Sequence, residues 1–276
     1  MTVPDFPLSR GRFLGIARAA GLIIEKRFTS GFTTTFKEDQ SPVTTADGEV
    51  NRFVISEVQR DAPGIDILGE EESVRAESPW QLQIDPIDGT LPFTWGLPAS
   101  TFMAALLFEG KPQMSVVCNP YADALYYAVR GEGAFVRTRT NTHCIRVSEC
   151  MPGDGSKGKP AVGLATAPHV PGLDMFDVGK LLGKSGLRSV MIASMGYLDM
   201  LVARGVFVGT IFTGDTPWDT SAGHLIIEEA GGKATDLEGN PINYGFKKDR
   251  TKPGRMFSNG QYHEVLLDSI ARSREW

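Results

Sequence analysis

Between Arg10 and Phe28 the apolar residues fall at Phe13, Ile16, Ala17, Ala20 and Ile24. That spacing lines one face of a helix. A polar stretch follows, KEDQSPVTTADGEV, in which Pro42 biases Ser41 away from helix and predicts an extended segment. Helical spacing returns near Asp47, with Val50, Phe53, Val54 and Val58 on one face and Pro63-Gly64 as the stop. The rhythm then shortens. Residues 65–68 run into glutamates, and Trp80, Leu82 and Ile84 alternate with polar residues and run into Asp85. Residues 101–108, 114–118, 124–129 and 134–136 read as successive strands with Gly or Pro turns between them. Residues 151–160, MPGDGSKGKP, are the best linker candidate. Beyond them strand-like runs at 162–165, 189–192 and 206–212 alternate with helix-like stretches at 175–182, 197–204 and 221–230, which predicts a layered α/β half.

Composition narrows the field. A chain of 276 residues, 41% apolar, is long enough for one large domain or two modest ones sharing a cleft. Acids outnumber bases 33 to 28, a net charge of −5, which argues against nucleic acid as the partner. An anionic small substrate stays open, because a metal ion inverts the sign of an acidic patch. The basic residues Lys247, Lys248, Arg250 and Lys252 read as a solvated loop. Cys118, Cys144 and Cys150 match no zinc spacing, so a reducing, cytoplasmic setting is expected. No apolar run has membrane-spanning length, and no membrane partner is expected.

Three acidic stations stand at the ends of apolar runs: Leu68-Gly69-Glu70-Glu71, Ile84-Asp85-Pro86-Ile87-Asp88-Gly89-Thr90, and Thr216-Pro217-Trp218-Asp219. Strand ends and helix starts are where α/β proteins gather site residues. In the second station a rigid proline lies between two carboxylates, and the Ile87 carbonyl can join them in an all-oxygen environment suited to a hard cation such as Mg²⁺. Taken singly, each station has a plainer reading. Glu70 to Glu72 can be a solvated turn, Asp88-Gly89 a tight turn, and Asp219 a helix cap. Their joint occurrence favours a shared site.

The joint pattern resembles the inositol monophosphatase family. The matching text is DQSPVTTAD, LGEEES (one acid more than the family's LGEES), DPIDGT and PWDTSAGHLIIEEAGG, and the likeness continues to FSNGQYHEVLLDSI. The resemblance implies a layered αβαβα sandwich, with an N-terminal α+β half over residues 1–150 and a C-terminal α/β half over 151–276 that completes the site. It implies a Mg²⁺-dependent, lithium-sensitive phosphatase for a small soluble phosphate monoester such as inositol 1-phosphate, working as a homodimer with roughly two to three Mg²⁺ per site. By the same resemblance Glu70, Asp85 and the Ile87 carbonyl hold one ion, Asp85, Asp88 and Asp219 a second, and Glu70 with waters a third. Thr90, hydrogen-bonded to Asp47, orients the attacking water together with Glu70. The N–H groups of Gly89 and Thr90 grip the phosphate, with Asp219 also at the substrate.

Two departures bear on the substrate. Leu91 follows DGT where the family's inositol-phosphate members usually carry Asn, and Phe212 stands where a family glutamate meets inositol hydroxyls. Losing that acceptor costs discrimination, since a hydroxyl is recognised through paired polar groups. Asp215 is a candidate to compensate, and a surface-loop role fits it equally. Trp95, Leu97, Phe212 and Met195 are candidates for the leaving-group pocket, with core packing the expected role of each. Histidinol-phosphate phosphatase is the alternative within the family, compatible with the text FTWGLP. Outside enzymes, the alternative is a binding or regulatory protein that keeps the fold. A haloacid-dehalogenase motif is excluded because Asp85 and Asp88 stand three residues apart instead of two, and an EF-hand because its alternating ligands are missing.

Overall fold

The computed structural model describes residues 5–153, 160–165, 173–214, 216–245 and 254–274. Asp215, the basic run from Lys247 to Lys252 and most of the linker candidate lie outside the described residues. The chain opens with α1 (Arg10–Ser30), a hairpin of β1 (Thr34–Phe36) and β2 (Pro42–Thr44), and α2 (Thr45–Asp61). Next come β3 (Asp66–Gly69), β4 (Trp80–Asp88), the single turn α3 (Thr90–Thr94), β5 (Thr101–Phe108), β6 (Lys111–Asn119), β7 (Ala124–Val129), β8 (Gly133–Arg137) and β9 (Thr142–Cys144). The remainder holds β10 (Ala161–Ala165), α4 (Met175–Lys184), β11 (Arg188–Met191), α5 (Met195–Ala203), β12 (Gly209–Phe212), α6 (Pro217–Glu229), β13 (Lys233–Asp236), β14 (Arg255–Ser258) and α7 (His263–Ser273).

Strands β3 to β9 form a seven-stranded sheet in chain order, antiparallel except for the parallel pair β3–β4. A five-stranded sheet runs in the order β11-β10-β12-β14-β13, with β10 parallel to both its neighbours. The side chains of β5 show how the layers stack. Phe102, Ala104 and Leu106 pack with Ile16, Ala20, Val50 and Val54 of α1 and α2. Met103, Ala105 and Leu107 pack with Met200, Ala222, Leu225 and Ile226 of α5 and α6. Both faces of the strand are therefore covered, which is why its text, TFMAALLF, is apolar throughout and does not alternate. On the outer face of the smaller sheet, Val162, Leu164 and Met256 pack with Val178 and Leu182 of α4 and Leu266 and Ile270 of α7. The result is the five-layer αβαβα order, with α5 and α6 between the sheets.

Local chemistry fixes the element starts that matter. Thr44 caps α2, and its main-chain N–H and hydroxyl both donate to Asp47, closing a capping box. This moves the start of α2 two residues ahead of the Asp47 expected from spacing. Pro217 occupies the first turn of α6, where its missing N–H costs nothing. The last two strands and α7 are not evident in the periodicity. Among the described residues no helix is long and apolar enough to cross a membrane.

Candidate active site

The end of β4 gathers the first group of residues. Its ladder with β5 pairs Asp85 with Met103 and Asp88 with Thr101, so one extra residue is accommodated between them. In a regular strand two residues three apart point to opposite faces. The bulge reverses that, and Pro86 suits it because proline has no N–H to donate to the ladder. Ile84 and Ile87 therefore both pack toward α1 and α2, while Asp85 meets Asp219 of α6 and Asp88 meets α5. Gly89 then turns the chain in the left-handed region at φ 82. A Cβ there would come within 2.7 Å of the Ser194 Cβ, so the turn needs glycine for space as well as for conformation.

Asp88 is held on all sides. Its Oδ1 accepts from the Met195 N–H at 2.7 Å, and its Oδ2 from the Gly196 N–H at 2.9 Å, the Ser194 hydroxyl at 2.5 Å and the Thr101 hydroxyl at 2.9 Å. The carboxylate thus docks on the N-terminus of α5, where unpaired N–H groups and the helix dipole favour negative charge. Burial raises its pKa, and these donors oppose the rise.

Asp85 and Asp219 behave differently. Asp85 is buried and Asp219 half-buried, they share a side-chain hydrogen bond, and Asp85 Oδ1 has no protein partner. Burial and then the charge of Glu70 push Asp219 up to about 7. Burial and the charges of Glu70, Asp219 and Asp88 push Asp85 well above the ordinary carboxylate range. Two carboxylates this close share a proton unless something positive separates them. Asp219 also accepts from the Thr216 hydroxyl within the first turn of α6.

Three further carboxylates, Glu70, Glu71 and Asp47, stand nearby. Glu70, at the end of β3, pairs with Lys37 Nζ at 2.8 Å, and Glu71 pairs with the same amine at 2.7 Å. Burial lowers the Lys37 pKa, but the two glutamates outweigh it and the net shift is upward. Asp47 accepts from Thr44 on one oxygen and from the Thr90 hydroxyl at 3.2 Å on the other. Burial pushes Asp47 up to about 6 although the Thr44 donors pull it down. The Thr90 hydroxyl is also 3.0 Å from the Ile87 carbonyl.

All eight residues singled out from the sequence therefore meet at one place. Among the described residues, however, no three acidic, histidine or cysteine side chains are grouped to hold a metal ion as they stand. Lys37 engages Glu70, and the first turn of α5 engages Asp88. Lys37, Ser194 and Thr101 belong to the site and are not singled out by sequence. Lys37 is one basic residue beside a polar turn, 33 positions from its partner. Of the pocket candidates, Phe212 and Met195 are core residues packed with Leu198 and Ala165. Trp95 and Leu97 are not core as expected but exposed, at 66% and 49%, because the chain leaves α3 through a Gly96 turn on the surface.

Residues 12–275 match the model of the inositol monophosphatase family. A Thermotoga maritima fructose-1,6-bisphosphatase/inositol-1-monophosphatase is 31% identical over 83% of this chain and 82% of its own length. A Mycobacterium tuberculosis histidinol-phosphatase is 31% identical over 85% of this chain and 86% of its own. Among solved structures, a Thermotoga maritima IMPase superposes with a TM-score of 0.81 at 26% identity, covering 97% of this chain and 99% of that one. An IMPase/NADP phosphatase complexed with Mg²⁺ and phosphate superposes with a TM-score of 0.75 at 25% identity, covering 93% and 92%. The chain belongs to the inositol monophosphatase family and is a phosphatase.

Proposed function

We propose that the protein is a Mg²⁺-dependent phosphomonoesterase for a small soluble ester such as inositol 1-phosphate. The observation that carries this reading is the contact of buried Asp85 with Asp219, in which one Asp85 oxygen is unpartnered. A buried carboxylate oxygen without a donor is costly, and a cation relieves both that cost and the repulsion between the two acids. The donor set is all oxygen, which suits Mg²⁺ better than softer metals. Glu70, Asp85, the Ile87 carbonyl, Asp88 and Asp219 would hold the metal. When bound, Mg²⁺ supplies charge neutralisation for the phosphate dianion and a water acidic enough to serve as nucleophile near neutral pH.

The chain's own groups position the rest. The N–H groups of Gly89 and Thr90 bind phosphate oxygens at the start of α3. Thr90 has one hydroxyl proton. Donated to Asp47, it leaves the Thr90 oxygen free to accept from the attacking water and fix its direction. The water oxygen bonds to phosphorus, its proton passes by way of Thr90 to Asp47, and the ester P–O bond breaks. The departing alkoxide takes its proton from solvent. Inhibition by Li⁺ and a homodimeric state accompany this reading.

One observation favours a second substrate. Phe212 is buried in an apolar cluster, so no carboxylate stands at that position to accept a polyol hydroxyl. A leaving group that does not need that acceptor, histidinol among them, fits this position better. The test is phosphate release from inositol 1-phosphate, histidinol phosphate, fructose 1,6-bisphosphate and 3′-phosphoadenosine 5′-phosphate, with Mg²⁺ and with chelator. Chelator-sensitive release with one clear favourite is expected. Release that is indifferent to Mg²⁺ would defeat the reading.

A further inference from the structure

Among the described residues the largest fully buried side chain is a charged one, Arg255 on β14. Its guanidinium forks onto Asp199 of α5, with Nη1 donating to Oδ1 at 3.1 Å and Nη2 to Oδ2 at 2.8 Å. Nη2 also donates to the main-chain carbonyl of Asp219 at 3.2 Å. The Thr210 hydroxyl of β12 donates to Asp199 Oδ1 at 2.9 Å. The guanidinium carbon lies 4.1 Å from the centre of the Phe257 ring and 5.6 Å from that of Phe212. Arg255 Nε has no partner.

Such a pair is a poor way to add stability. Apolar residues of similar volume do as well or better in a core, and an unpartnered buried N–H adds to the cost. What apolar residues cannot do is join two helix starts by directed bonds. The first turn of α5 supplies the Met195 and Gly196 N–H groups that hold Asp88, and the first turn of α6 carries Asp219. Arg255 is bonded to both helices at once. Gly223 of α6 permits the close approach, since a Cβ there would meet Asp199 Oδ2 at 2.2 Å.

We propose that Arg255, acting through Asp199 and the Asp219 carbonyl, is a positioning residue that sets the spacing of Asp88 and Asp219 and thereby the Mg²⁺ affinity of the site. The proposal rests on the phosphatase reading above. Two variants test it. The double variant Arg255→Met/Asp199→Leu removes both charges and strands neither. Arg255→Lys keeps the charge but loses the fork, so it cannot serve both acceptors in the same geometry. The readouts are the Mg²⁺ concentration that gives half of the Mg²⁺-induced rise in Tm, and kcat and KM for the ester best hydrolysed by wild type.

The double variant should fold and raise the Mg²⁺ half-point roughly tenfold or more, with kcat down by a factor on the order of ten to a hundred and KM within about twofold. Arg255→Lys should fall between it and wild type. Variants whose half-point and kcat stay within about twofold of wild type overturn the proposal. If the double variant does not fold, Arg255→Lys decides by the same measures. A wild type that Mg²⁺ stabilises but that hydrolyses no ester defeats the phosphatase reading, and the half-point still decides the positioning role. A wild type that Mg²⁺ does not stabilise defeats both.

Discussion

Two acidic centres lie against α5 and α6, and the fold treats them in opposite ways. Asp199 is given a full answer: a forked guanidinium, a hydroxyl and aromatic rings around the cation. Burial pushes Asp199 up to about 6, and Arg255 and Thr210 oppose the rise. Asp85 and Asp219 are given each other, and one Asp85 oxygen is given nothing. In the first centre the chain encodes the countercharge. In the second it withholds one, which is how a fold leaves room for an ion it does not encode.

The largest effect expected from that contrast is on turnover. Asp219→Asn or Asp88→Asn should lower kcat by roughly three orders of magnitude, about 4 kcal/mol in barrier, with the fold retained by circular dichroism. Normal turnover with unchanged Mg²⁺ affinity in either variant would remove the proposed site. On stability the two centres should respond with opposite signs. Arg255→Ala leaves Asp199 buried without its countercharge and should cost about 3–5 kcal/mol in denaturant unfolding. Asp85→Asn removes one of two crowded acids and should leave Mg²⁺-free protein as stable as wild type or more so. A loss at Asp85 as large as that at Arg255 would mean both centres are structural.

Smaller effects sharpen the account. Thr90→Ala should lower kcat by roughly ten- to a hundredfold while KM stays close to wild type, because the hydroxyl acts on the attacking water. Steady-state kinetics on the favoured ester separates the two. A third buried centre titrates with a defined sign. His263 bonds Ser258 and Thr235, and burial, helped by the charge of Lys233, lowers its pKa to about 4. The unfolded histidine binds its proton near pH 6.5 and the folded one does not. Stability from this group is therefore present above about pH 6.5 and lost as pH falls toward 4. His263→Gln should flatten that part of the stability profile.

How much of this is legible in the sequence depends on distance along the chain. The stretch from Asp85 to Thr90 is local, so its proline, glycine and acid spacing announces the turn and the paired acids directly. The helix with Phe13, Ile16 and Ala20 is equally plain, because one apolar face repeats for about three turns from Phe13 to Ile24. The strands at 233–236 and 255–258 are four residues each and too short to show a period. Asp199 does signal from within MGYLDMLVA, where a charge in an apolar helix requires a partner. The partner is 56 residues away, and no local pattern identifies Arg255 among the chain's other basic residues. Lys37 is hidden for the same reason. Phe212 is legible as a departure, but its burial against Met195 and Leu198 follows only from the packing of β12 against α5.

The most direct test of the account is calorimetric titration of chelator-treated protein with Mg²⁺ at about pH 6.5, repeated in buffers of different ionisation enthalpy. The shared proton between Asp85 and Asp219 has to leave when an ion takes its place. Binding accompanied by proton release in wild type, with that release lost in Asp219→Asn, is the predicted result. Absence of Mg²⁺ binding, or binding with no proton released, would contradict the claim that this pair is where the metal goes.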